Sequence, residues 1–189
     1  MTGQYTFEDK NHDGIISQNP GPTDDRIAYN LNPKFFGGFG TELNYHGIQL
    51  TLFFSYKEQI AFDLLSQGSN PGRILGNQST TILGNEWQYP GQIATEAKFT
   101  TVPGSTYSEF GSSDAGLTNA SYIKLRNATL SYNLPKELVS KVGITNCRIF
   151  FRGENLFVIT PFPGIDPEEN SLNPLPPYKV FTLGLSVTL

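Results

Sequence analysis

The last ten residues, from Val180 to Leu189, alternate without a break. Phe181, Leu183, Leu185, Val187 and Leu189 fall on one side, and Thr182, Gly184, Ser186 and Thr188 on the other. A β-strand turns successive side chains to opposite faces, so this segment is greasy on one face and small and polar on the other. An apolar strand left at the edge of a soluble sheet templates aggregation. A closed outer-membrane barrel requires this same pattern, with lipid outside and a polar lumen inside.

Four more segments carry the period. Phe35, Gly37, Phe39, Thr41, Leu43 and Tyr45 share a face in the stretch 34–45, and His46-Gly47 supplies a tight turn. The return stretch 48–58 gathers Ile48, Leu50, Leu52, Phe54 and Tyr56, with Tyr45 and Tyr56 placed to join an interfacial aromatic girdle. In SYIKLRNATLSYNLP, Ala128, Leu130 and Tyr132 share a phase while Ile123 and Leu125 take the opposite one, which predicts a bulge near Asn127. Pro135 opens a short helical turn closed by Gly143, and a strand at 145–155 follows. The fold class is therefore all-β and antiparallel: about five strands of a large transmembrane β-barrel with long extracellular loops.

Connection lengths give the orientation. Barrels have short periplasmic turns and long outer loops. His46-Gly47 and Pro135–Gly143 are then periplasmic, and residues 1–33, 59–119 and 160–177 extracellular. The expected organisation is an acidic outer loop (1–33), a hairpin (34–58), a long outer loop (59–119) and three last strands (120–189). Loop 59–119 holds short helical patterns at FDLLSQ and RILGNQ, and its aromatic content argues for order.

Composition narrows the function. Charged residues are 16% of the chain, against about 25% in ordinary soluble proteins. The formal net charge is -4 and no basic run exists, which excludes a nucleic-acid surface. The single Cys147 excludes an internal disulfide and reads as a small buried hydrophobe. No apolar run approaches the roughly 18 residues of a membrane helix. Met1 is followed by no signal peptide pattern. A barrel must be exported, so the expectation is that the natural N-terminus lies further upstream.

These stretches resemble the C-terminal end of the SusC/RagA family of TonB-dependent outer-membrane transporters. The likeness rests on DKNHDGIIS with a later DDR, NPKFFGGFGTELNYHGIQLTLFFSY, ASYIKLRNATLSYNLPKELVSKVGI, CRIFFRGENLFVIT followed by PFPGIDPE, and KVFTLGLSVTL. It implies a longer protein with a plug domain, contact with TonB through that plug, outer-membrane lipid around the wall, and a SusD-type lipoprotein over the outer loops. The implied function is import of oligosaccharides or peptides, without catalysis by this chain. Two departures stand out: the family usually ends in an aromatic residue where this chain has Leu189, and Gln18–Thr23 lengthens the acidic loop. The alternative is a soluble secreted β-sandwich that binds glycans and carries a calcium loop.

Candidate sites are few. Asp9, Asn11, Asp13, the Ile15 carbonyl and Ser17 match the alternate oxygen ligands of a structural Ca²⁺ loop. Its twelfth position is Pro20, which cannot coordinate by side chain; Asp24 or Asp25 could fold back to replace it, with Asp25 the expected ligand. An Asx-rich turn is the competing reading. Trp87, Tyr89, Tyr107 and Phe110 are candidate ligand or partner contacts in the long loop. His12 and His46 are isolated, Glu168 and Glu169 read as solvated, and no nucleophile or acid–base pair is apparent, so no enzyme is expected.

Overall fold

The computed structural model describes residues 3–18, 21, 24–63, 80, 82–101, 109–169 and 175–189. It divides into two compact units, one from 1–31 with 61–118, the other from 32–60 with 119–189. The stretches 1–33 and 59–119, read above as two separate loops, thus contribute most of their residues to one unit.

The second unit is an open five-stranded antiparallel meander. Its strands are β1 (Phe35–Tyr45), β2 (Ile48–Glu58), β5 (Tyr122–Asn133), β6 (Asn146–Ile159) and β7 (Val180–Thr188), in the spatial order β1-β2-β5-β6-β7. A two-stranded ladder of β3 (Ile60–Phe62) and β4 (Leu117–Asn119) stands apart from it. The main strands run 9 to 14 residues, enough for the tilted crossing of about 9–11 residues that a bilayer demands.

Two turns fix the register. His46 (φ 45°) and Gly47 (φ 83°) both have positive φ, the backbone of a type I′ turn whose twist matches the flanking strands. It sets β1 against β2 from Phe35 opposite Glu58 to Tyr45 opposite Ile48. Between β5 and β6 lie the short helix α1 (Lys136–Val139) and a 3₁₀ turn, Ser140–Val142. Gly143 (φ 75°) ends them: its N–H donates to Ser140 O at 3.2 Å, and Ile144 N–H donates to Val139 O at 3.2 Å. This is a Schellman closure, which needs a residue that tolerates the left-handed region.

Register then sorts the side chains into rows. Tyr45, Ile48, Tyr132, Ile149 and Leu185 lie opposite one another across all five strands, and Leu43, Leu50, Leu130, Phe151 and Leu183 form the next row. The opposite face carries Glu42, Thr51, Thr129, Arg152 and Thr182 in one such row. The expected bulge is present. Phe54 and Phe53 pair with Leu125 and Asn127, leaving Arg126 as the extra residue. The bulge restores Ile123 and Leu125 to the apolar face despite their sequence phase.

The apolar face is uncovered along β7. Leu183 is 76% and Leu185 63% exposed, so among the described residues no second sheet packs over them, as a sandwich would require. Cys147 is buried with a free thiol, as expected for a small hydrophobe.

On the polar face the Phe150 ring lies directly over Gly184, its register partner, leaving no room for a Cβ there. Gly184→Leu is expected to displace that ring and cost about 1–3 kcal/mol. Urea unfolding of the detergent-refolded chain measures the loss, and the double variant with Phe150→Ala is expected to recover part of it.

Candidate functional site

The polar face of the sheet holds a charged cluster. Lys124 sits in register with Ser55 and Val158, and it is only 3% exposed. Its ammonium donates to Asp166 Oδ2 at 3.0 Å and to Glu168 Oε2 at 2.8 Å. Arg126, thrown out by the bulge, donates to Ser55 Oγ at 2.8 Å and to Glu168 Oε1. Tyr122 OH donates to the same Glu168 oxygen at 2.6 Å. Asp166 in turn accepts the Glu168 N–H at 2.9 Å.

Two cations thus meet two carboxylates. Buried charges persist where they are paired and hydrogen-bonded, and each group here is. The result pins the turn Asp166–Glu168, which follows β6 in the chain, onto β5. Gln59 adds a bond from its Nε2 to Pro167 O at 2.8 Å, and Thr160 Oγ1 donates to Ser121 O at 2.7 Å. Glu168 is therefore not the solvated carboxylate expected from its loop; Glu169 is exposed. The sequence signal that was missed is the pair Lys124 and Arg126, charged residues inside an otherwise strand-like run, which need partners.

Burial pushes the Glu168 carboxyl up, but the bonds from Lys124, Tyr122 and Arg126 more than offset this and hold its pKa at about 2. A depressed folded pKa means the carboxylate stabilises the fold above the ordinary value of 4.5 and loses that contribution as pH falls towards 2.

The acidic loop folds as a stack of Asx turns. Asp9 Oδ2 accepts Gly14 N–H at 2.7 Å, Asn11 Oδ1 accepts Asp13 N–H at 3.0 Å, and Asp13 Oδ1 accepts Ile15 N–H at 2.8 Å. Asp25 does fold back. Its two oxygens accept Lys10 N–H and Ser17 N–H, each at 2.8 Å, and its own N–H donates to Ser17 O at 3.0 Å. The Ser17 N–H bond is the main reason its pKa lies below the ordinary value. Asp24 instead grips Arg26 with both oxygens at 2.8 Å. Among the described residues, no three His, Cys, Asp or Glu side chains converge as a metal cage. The carboxylate charge is met by backbone N–H groups in this conformation.

The aromatic candidates separate. The Trp87 ring packs on Gly3 (φ 69°), so closely that no Cβ would fit there. Tyr89 is 62% exposed. Phe110 stacks on Tyr5 with ring centroids 4.1 Å apart and 14° between planes. Tyr107, like most of the two helical patterns, lies outside the described residues. Phe110 and Tyr5 both line a cavity of about 450 Å³ within the first unit.

Lys124→Met is expected to destabilise by about 3–5 kcal/mol, because it strands Asp166 and Glu168 without their cation. Hydrogen exchange on residues 160–169 reads it directly. The same amides are expected to lose protection in the unaltered protein as pH falls from 4.5 towards 2.

No protein-family model matches the sequence. Individual proteins do. The chain is 29% identical over 203 residues to TonB-dependent receptor P3 of Formosa agariphila, an alignment covering 98% of this chain and 19% of the relative. It is 23% identical over 212 residues to TonB-dependent receptor P26 of the same organism, covering 100% of this chain and 20% of the relative. Among solved structures, it superposes on the RagAB peptide transporter with a TM-score of 0.71 at 25% identity, over 90% of this chain and 19% of that one. The closed-closed state of the RagAB peptide importer gives a TM-score of 0.71 at 22% identity, over 93% of this chain and 20% of that one, a likeness of fold. The chain spans about a fifth of the length of these proteins. Sequence and fold agree with the row pattern of the sheet: the chain is similar to TonB-dependent receptors and to the RagAB transporter, and it fits a C-terminal β-barrel fragment of such a protein.

Proposed function

We propose that the chain forms part of the wall of an outer-membrane importer. In this reading the apolar rows face acyl chains and the opposite face lines the lumen. Energy comes through TonB acting on a plug outside this chain, and the outer loops meet a SusD-type lipoprotein. Oligosaccharides or peptides are the proposed cargo, and the chain contributes shape and charge to their passage rather than chemistry. The carrying observation is the unbroken apolar face across five strands, exposed at Leu183 and Leu185. In hydrocarbon every backbone polar group must be paired, which ladders of a closed barrel achieve and an isolated sheet does not.

A charge on the lipid face of a barrel costs about 2–4 kcal/mol near the midplane. Within the whole receptor of which this chain is a segment, Leu183→Arg is expected to block folding into phosphatidylcholine vesicles, whereas Thr182→Arg, one residue away on the other face, is expected to let it fold nearly as well as the unaltered receptor. Heat-modifiable mobility on cold SDS gels reads both. Equal tolerance of the two variants would overturn the membrane reading.

The acidic loop is proposed as a structural calcium site built on Asp9, Asn11, Asp13, Ile15 O, Ser17 and Asp25. Support comes from the ligand spacing and from the return of Asp25 to Ser17. Isothermal titration with Ca²⁺ is expected to give one site, which Asp25→Asn weakens at least tenfold. The absence of any heat or thermal shift at millimolar Ca²⁺ would overturn it.

A further inference from the structure

The cavity in the first unit has a composition that selects its ligand. Its floor is aromatic: Tyr5, Phe7, Tyr29 and Phe110 all line it. Its polar lining is acidic, with Glu8, Asp25, Glu109 and Asp114. Among the described residues Arg26 is the one cationic residue of that lining, and its guanidinium is already held by both oxygens of Asp24 at 2.8 Å. That pair carries no net charge into the cavity.

The electrostatic balance of the lining is therefore negative. Asp25 has both oxygens bonded to Lys10 and Ser17 N–H groups and belongs to the proposed calcium loop, so the charge available to a ligand is that of Glu8, Glu109 and Asp114. Asp114 accepts one long bond from Tyr29 OH at 3.4 Å, so an ammonium has a stronger donor to offer it. Ring faces attract cations through their quadrupole, and the stacked Tyr5 and Phe110 present such a surface beside the carboxylates. A volume of about 450 Å³ is that of a pocket for a small ligand or one or two side chains. A neutral sugar would use the rings but leave Glu8, Glu109 and Asp114 without a charged partner among the described residues. A phosphate or an acidic peptide would meet repulsion.

We infer that this cavity binds a cationic side chain, the ammonium or guanidinium of a basic peptide. The inference rests on the import reading and deepens it, by naming basic peptides as a ligand class for the outer part of the chain.

The test uses the full chain refolded in detergent micelles, with Trp87 fluorescence as the reporter, since it is the single tryptophan and lies in the same unit. The probes are tri-lysine, tri-glutamate and maltotriose. Tri-lysine is expected to bind at least tenfold more tightly than either of the others, with affinity falling as salt rises. Glu109→Gln combined with Asp114→Asn, which keeps shape and removes two charges, is expected to cut tri-lysine affinity at least tenfold. Glu154→Gln, on β6 of the other unit, is expected to leave it unchanged.

Maltotriose binding as tight as tri-lysine overturns the inference, and so does an affinity indifferent to the double variant. Failure is separable from failure of the import reading. If Leu183→Arg blocks vesicle folding while tri-lysine shows no binding, the cavity assignment falls and the barrel stands. If both arginine variants insert equally while tri-lysine binds, the reverse holds.

Discussion

The antiparallel ladder between β5 and its neighbours governs everything else in the second unit. Each strand must give up its backbone donors and acceptors to the next, and only then does side-chain parity become meaningful. A one-residue slip anywhere would turn Leu43, Leu50, Leu130, Phe151 and Leu183 to the wrong face together. The His46-Gly47 turn and the Gly143 closure prevent that slip at one end of the sheet. At the other end the register is held by ionic and hydrogen-bonded ties instead.

The bulge at Arg126 joins the two systems. It corrects the phase of β5, so that Ile123 and Leu125 join the apolar rows, and it projects a guanidinium to the polar face, where Ser55 and Glu168 receive it. One inserted residue therefore serves both the apolar rows and the charged cluster. Bulges sit where a strand must redirect a side chain, and this one does so beside a pair of buried charges.

Much of the sheet was legible from the sequence because a period of two is a local signal. The alternation in KVFTLGLSVTL, the turn at His46-Gly47 and the broken phase near Asn127 each needed only neighbouring residues to be read. The partnership of Lys124 with Asp166 and Glu168 was not legible, since those residues stand some forty positions apart and only the ladder brings them together. The same holds for the first unit. Tyr5 and Phe110 stack, yet nothing local to either announces the other. The return of the Asp25 side chain to Lys10 and Ser17 lies within the reach of a local reading, since Pro20 cannot serve at the twelfth position. Trp87, a candidate contact residue, packs against Gly3, a contact hidden by more than eighty residues of intervening chain.

The pinning of Asp166–Glu168 has a mechanical consequence. The segment that carries these residues connects β6 to β7, but its anchorage is on β5. Arg126 also holds Ser55 on β2, so a load on that segment is shared with two neighbouring strands. The end of the sheet that carries these bonds resists splaying as a unit rather than peeling strand by strand.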